Sequence, residues 1–415
     1  MSIGIEKLRC YPGRLSLDIR ALVEARGGRV EELCGQMMLT ARTVSPPWED
    51  VVTMGVEAGL RVLGPDDRAR VRLLLVASES GLDYEKAIAT WLHRYLRLPD
   101  EVRLAELKVA CYAGTSALEL AAGWLSQWPE EDAAALVVTT DQSRNHHGEV
   151  PEFIMGGGAT AMLVSRRPRF LALEPGLSGV HSQELSDIFR PTSRVETGHS
   201  ETSLLSYLEG LDQAFERYRA AVERRRGVTL DSRAALDRWM PHLVYHAPFG
   251  GITLRAHRAL LRAVGEPDPA AASADFATRV EPTLQFGRRI GSTYAGSVFI
   301  SLLGLAASGR ARPGDRVGIY SYGSGSCAEF YSGVLGEGVV DEARAAGLED
   351  LLASRQPLSV AEYDAAEHER TAWIDCADYR VRTDILGGLY EERVRGRKQL
   401  VFAGATDWVR QYEWS

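Results

Sequence analysis

The chain has 415 residues, of which 45% are hydrophobic, 25% charged and 8% aromatic, the balance of a folded protein with a sizeable core. This composition excludes collagen-like, disordered and disulfide-scaffold classes, and a formal net charge of −8 argues against a general nucleic-acid binder. The apolar run 298–307 falls short of the roughly 18 residues a membrane span needs, and the start MSIGIEKL has no basic region followed by an apolar one. A cytoplasmic protein without a membrane partner is the expectation. Cys10, Cys34, Cys111, Cys327 and Cys376 are scattered and include no CxxC pair, which supports neither a zinc knuckle nor a disulfide framework.

In chain order, short apolar runs at 71–77, 135–140, 159–165, 243–246 and 317–321 read as buried strands. Helical periodicity lies between and beyond them, at 84–96, 115–128, 203–224, 257–264 and 294–307. Strands alternating with amphipathic segments predict βαβ units and an α/β fold around a largely parallel sheet. The Ala- and Pro-containing stretch 266–274 predicts a surface loop. The more polar C-terminal residues, with irregular runs such as 391–398, predict peripheral strands and loops.

In such sheets, chemistry gathers just past the carboxyl ends of strands. Four segments occupy that kind of position: 78–83, 110–115, 245–251 and 320–326. Cys111 follows an apolar run and precedes an Ala/Leu-rich helix, where dipole and free N–H groups lower a thiol's pKa; a buried small hydrophobe is the other reading. Glu79, directly after a strand, is either a burial-tuned general base or a residue of a helix-capping turn. His246 precedes Pro-Phe-Gly-Gly and is either a donor to a substrate carbonyl or a strand-end histidine satisfied by backbone. Gly323 and Ser324 form a backbone-donor turn that fits neither the P-loop nor the dinucleotide fingerprint. His146 and His147 are adjacent, point to opposite sides and lack an i, i+4 partner, so no metal site is expected.

Together, SESGLD with Glu79, ACYAGTSAL with Cys111, TTDQSR with Asp141, YHAPFGG with His246 and SYGSGS around Ser324 resemble the 3-hydroxy-3-methylglutaryl-CoA synthase family of the thiolase superfamily. The segments MMLTARTVSPPWEDVVT, SYGSGSCAEFYSGV and QYEWS resemble its polyketide β-branching members more than the mevalonate enzymes. The resemblance implies a thiolase-like fold of duplicated βα halves in an αβαβα arrangement. Residues 1–170 would carry Glu79 and Cys111, and 171–415 His246 and the Gly/Ser turn. It also implies a homodimer and acyl groups carried on phosphopantetheine of donor and acceptor acyl carrier proteins or of CoA, with no other cofactor.

The roles implied are Cys111 as acyl-bearing nucleophile, Glu79 as general base and acid, and His246 as holder of the acceptor carbonyl. Asp141, Ser292, Tyr294, Gly323 and Ser324 are implied substrate-binding positions. The chain departs from the family pattern at Ser292, where the family carries asparagine, and at Pro151–Glu152–Phe153, where Glu–Pro is usual. The rival readings are a primary-metabolism synthase and a non-condensing acyl-thioester binder. For carrier docking, Arg42, Arg224, Arg225, Arg226 and the arginines of 393–397 are the candidates.

Overall fold

The structure, a computed structural model, describes residues 2–144 and 146–415. Nine strands form the main sheet. Their order across it is His242–Tyr245, Arg316–Gly323, Cys327–Leu335, Leu171–Ser182, Gly4–Tyr11, Gly157–Ser165, Ala134–Gln142, Val71–Ala77 and Arg103–Leu107. The arrangement repeats. Val71–Ala77 runs parallel to Ala134–Gln142, followed by two antiparallel neighbours, Gly157–Ser165 and Gly4–Tyr11. His242–Tyr245 likewise runs parallel to Arg316–Gly323, followed by antiparallel Cys327–Leu335 and Leu171–Ser182. Strand pairing joins the two sets at Gly4↔Ala172 and Ile5↔Leu171.

Alternation of side chains along each strand divides the core into layers. Leu73, Leu75, Ala135 and Val137 of one set, and Val244, Val317 and Ile319 of the other, face a shared central core. That core holds the helices Ala113–Gln127 and Ser297–Ala307, the second buried along nearly its whole length. The opposite faces carry Leu74, Val76, Leu136 and Val138 toward the helices Val51–Val62 and Ile88–Leu96. Leu243, Tyr245, Tyr320 and Tyr322 face Ser200–Arg226 and Gly250–Ala263 in the same way. The result is helix, sheet, helix, sheet, helix: the expected layered α/β arrangement. The expected largely parallel sheet is corrected to a mixed one: among the described residues, three of its eight strand pairings are parallel and five antiparallel.

Several expectations are corrected. Stretch 266–274 opens the helix Pro269–Arg279, because Asp268 caps it and Pro269 occupies the first turn, where a missing N–H costs nothing. Cys327–Leu335 is an inner strand of the main sheet, and the C-terminal region also contains the helices Val339–Ala346 and Val360–Ala372. Arg42 is buried, donating to Glu152 O and Ser143 Oγ, so it cannot meet a partner. Arg224, Arg225 and Arg226 end a 27-residue helix, which at 1.5 Å per residue puts them roughly 40 Å from its start. Among the described residues no helix is long and apolar enough to cross a membrane.

Candidate active site

The candidate groups lie at the carboxyl ends of parallel strands. Val71–Ala77 ends at the Glu79 turn, and Asp141 stands at the end of the neighbouring strand. Asp141 Oδ1 accepts from Ser78 Oγ (3.1 Å), Glu79 N–H (2.9 Å) and Ser80 Oγ (2.9 Å). Asp141 is fully buried and thus fixes the turn that presents Glu79. Ala110, at φ 46°, makes the turn into Cys111, and the helix Ala113–Gln127 follows. Cys111 Sγ donates to Glu79 Oε1 at 3.1 Å, which joins the two implied catalytic groups directly.

The thiol's titration differs from the expectation. Burial, followed by the facing Glu79, pushes the Cys111 thiol well above its usual range, and these outweigh the helix terminus. Burial also raises Glu79 well above ordinary carboxylates, with Asp141 and Glu196 adding repulsion and Arg190 opposing it. Asp141 is raised by burial as well, against the three donors that lower it. The site therefore holds its protons at rest: a thiol donating to a carboxyl oxygen.

His246 follows the strand His242–Tyr245 and is buried. Its N–H donates to Tyr320 O at 2.7 Å, and its own carbonyl accepts from Tyr207 Oη at 2.7 Å. Burial lowers its pKa to about 3, so the imidazole is neutral at physiological pH. Ser297 Oγ accepts the Ala247 N–H at 3.3 Å and lies 2.6 Å from His246 Nδ1. In the neutral tautomer that donates from Nε2, Nδ1 accepts the serine proton.

Other predicted positions fall around this centre. Tyr294 (φ 50°) is buried, and its Oη donates to Glu196 at 3.3 Å. Ser292 is buried in a backbone bridge, its N–H on Ile154 O and its carbonyl accepting from Gly156 N–H, both at 2.9 Å. Its Oγ accepts from Tyr294 N–H at 3.4 Å. Gly323 abuts the Cys111 turn: a Cβ there would stand 2.5 Å from Val109 O and 2.6 Å from Tyr112 N. Ser324 belongs to the adjoining turn, whose next residue, Gly325, donates its N–H to Asp187 Oδ1 at 2.9 Å. Glu152 turns to Arg26 and the Gly148 N–H, so the departure at Pro151–Glu152–Phe153 is taken up by an internal ion pair.

Sequence reasoning missed Arg190, Glu196 and Ser297. Arg190 donates to Glu79 O at 3.1 Å and pairs with Glu196, which joins Tyr294 to the Glu79 turn. Both residues lie in an irregular stretch without periodicity, whereas Ser297 is legible only as the first residue of a helix. Among the described residues, His147, Glu152 and Asp364 form one group within metal-ligating reach. The Arg26 guanidinium already bridges both carboxylates there, so the acidic ligands are committed to an ion pair.

Residues 262–387 match the C-terminal domain of hydroxymethylglutaryl-coenzyme A synthases. The chain is 34% identical over 380 residues to the polyketide biosynthesis 3-hydroxy-3-methylglutaryl-ACP synthase PksG of Bacillus subtilis, covering 88% of this chain and 87% of that one. It is 30% identical to the hydroxymethylglutaryl-CoA synthase of Enterococcus faecalis, covering 88% and 91%. Its fold matches the curacin biosynthetic pathway HMG synthase, solved in complex with acetyl donor-ACP, with TM-score 0.92, 32% identity and full coverage of both chains. These likenesses run through both halves of the sheet and the site between them, and the chain belongs to the hydroxymethylglutaryl-CoA synthase family, acyltransferases of thiolase-like fold.

Proposed function

We propose that this chain condenses a short acyl group, acetyl or propionyl, with the β-ketone of a carrier-bound β-ketoacyl thioester, as in polyketide β-branching. The observation that carries this reading is the 3.1 Å contact between Cys111 Sγ and Glu79 Oε1. Cys111 attacks the donor thioester, its proton leaves with the phosphopantetheine thiol, and the acyl group stays on sulfur. The ionised carboxylate form of Glu79, within reach of that sulfur, takes a proton from the acyl α-carbon. The enolate adds to the acceptor ketone, to which neutral His246 donates from Nε2. Glu79 returns the proton to the tertiary alkoxide, and water then cleaves the Cys111 thioester. The backbone N–H groups of Cys111 and Ser324 serve the thioester oxyanion. No step changes an oxidation state.

Carrier delivery is supported by the curacin synthase, which was solved with acetyl donor-ACP, and by the named activity of PksG. We divide the chain at 170/171, a reading supported by the repeated strand order and the short seam between the two sets. A homodimer is supported by the edge strand Arg103–Leu107, which leaves Leu104 exposed, and by the open surface formed by Leu120 and the stacked Trp124 and Trp128.

The test follows Cys111 by intact-protein mass spectrometry, with acetyl carrier protein or acetyl-CoA as donor and acetoacetyl carrier protein as acceptor. Acylation from the carrier should outpace CoA at equal concentration, lose that advantage as salt rises, and lead to a six-carbon branched product on the acceptor. Equal, salt-independent rates would make it a primary-metabolism synthase. Acylation without product would make it a thioester binder.

A further inference from the structure

Beside the loop after the first strand lies a cavity of about 330 Å³ with no part in the chemistry above. Its walls include Tyr11, Arg14, Glu49 and Arg61, and its rim Arg393 and Arg397. Elsewhere, Arg26, Arg70, Arg370 and Arg410 are paired with the carboxylates of Glu152, Glu6, Glu367 and Asp50, and buried Arg42 donates to Glu152 O and Ser143 Oγ. In this cavity, Arg14 has only Glu57, at 3.9 Å. Among the described residues Arg61, Arg393 and Arg397 form no ion pair, and Arg397 reaches only Glu392 O, at 3.5 Å. The Nε atoms of Arg14 and Arg61 are buried without an acceptor.

Glu49 supplies the second observation. It is 7% exposed; Oε1 accepts from Tyr11 Oη, and Oε2, near Gly13 of the cavity wall, has no hydrogen-bond partner. A buried carboxyl oxygen without a partner costs stability that a ligand hydrogen bond recovers. Burial holds Glu49 at about 7, so its carboxyl can either donate or accept near neutrality. Four guanidiniums thus face two carboxyls, one of them only partly ionised.

We propose that this cavity binds a small, doubly charged hydroxylated anion, a phosphate monoester or a hydroxydicarboxylate. The anionic groups engage the guanidinium forks of Arg14 and Arg61, with Arg393 and Arg397 at the mouth, and a ligand hydroxyl meets Glu49 Oε2. Guanidinium recognises phosphate and carboxylate through the same paired donors, so the experiment separates the two sources.

Isothermal titration calorimetry on the full chain at fixed ionic strength would use glycerol 3-phosphate, malate and inorganic phosphate. Saturable binding of one molecule per chain is expected for glycerol 3-phosphate or malate, and the tighter one identifies the source. Inorganic phosphate should bind more weakly, because it cannot span from the arginines to Glu49. Arg61→Gln should weaken binding about tenfold through loss of one charge-assisted contact. Arg397→Gln, on the exposed rim, tests the same claim should the interior variant fail to fold. Binding must persist in Cys111→Ala. No saturable binding of any probe, full affinity in folded Arg61→Gln and Arg397→Gln, or loss of binding in Cys111→Ala would overturn the proposal.

Discussion

Ser297 Oγ sits 2.6 Å from His246 Nδ1 while accepting the Ala247 N–H, and this pair of contacts holds the imidazole ring against the start of the helix Ser297–Ala307. Ser297 touches no reacting atom in the proposed mechanism, so it is a positioning residue. Ser297→Ala leaves Nδ1 without its hydrogen-bond partner and frees the ring. Cys111 acylation should continue at the wild-type rate, and the condensation rate should fall about tenfold, the cost of roughly one hydrogen bond. Ser297→Thr, which keeps the hydroxyl, should restore much of the loss. Burst kinetics, with acyl-enzyme and product followed separately, check the split.

A residue's place in the site is legible in the sequence when its neighbours along the chain reveal it. Glu79 and His246 each follow a buried apolar strand, and Cys111 a short apolar run before a helix, so their strand-end or helix-start positions can be read from the residues alone. The strand Arg103–Leu107 cannot, because it is an edge strand whose exposed Arg103, Leu104 and Ala105 show no burial alternation. Arg190 and Glu196 come from an irregular excursion between Leu171–Ser182 and the long helix, where no period marks a side chain as inward. The Cys111 shift runs opposite to the sequence expectation for a similar reason: the helix start is local, but the carboxyl facing it is 32 residues away.

Glu79→Gln separates the two half-reactions. The amide cannot take the α-proton, so the variant should acylate on Cys111 yet lose about 10²–10⁴ in condensation. Stability should move the other way. Burial raises the Glu79 pKa above the unfolded value, so the folded protein keeps a proton that the unfolded chain releases, and stability falls as pH rises through that window. The glutamine cannot ionise. Its melting temperature should exceed the wild type's above neutral pH, and the gap should close as pH drops toward the ordinary carboxylate range. A constant gap across pH would show that Glu79 is not the group responsible.

Cys111 should be the sole site of acylation. Cys34, Cys327 and Cys376 are also partly exposed, but none stands against a carboxyl that can manage its proton within a strand-end cleft. Peptide mapping after incubation with donor should find a single acyl mass on Cys111. Label surviving in Cys111→Ala would assign the nucleophile elsewhere.

Dimerisation through the open edge strand has a direct check. Leu104→Arg places a charge on an exposed, one-sided strand, where it costs the isolated fold little but repels a partner copy. Sedimentation velocity should find a dimer for wild type and a monomer for the variant, with an unchanged far-UV spectrum. A dimer that survives the arginine would move the interface away from this edge.

Gly323 tests whether the two halves of the sheet set the catalytic geometry together. It ends a strand of the second set, yet a Cβ there would stand 2.5 Å from Val109 O and 2.6 Å from Tyr112 N, on either side of Cys111. Both are backbone atoms, so no rotamer change relieves the clash, and Gly323→Ala must displace the Cys111 turn or the strand end. Overpacking of this kind costs about 1–3 kcal/mol. A turn moved by a few tenths of an ångström also disturbs the Sγ–Oε1 contact. The variant should therefore lose both melting temperature and Cys111 acylation rate. Gly287→Ala is the control, since a Cβ there meets nothing within 4 Å. Gly323→Ala with normal acylation would mean that the cysteine turn is positioned by its own half alone.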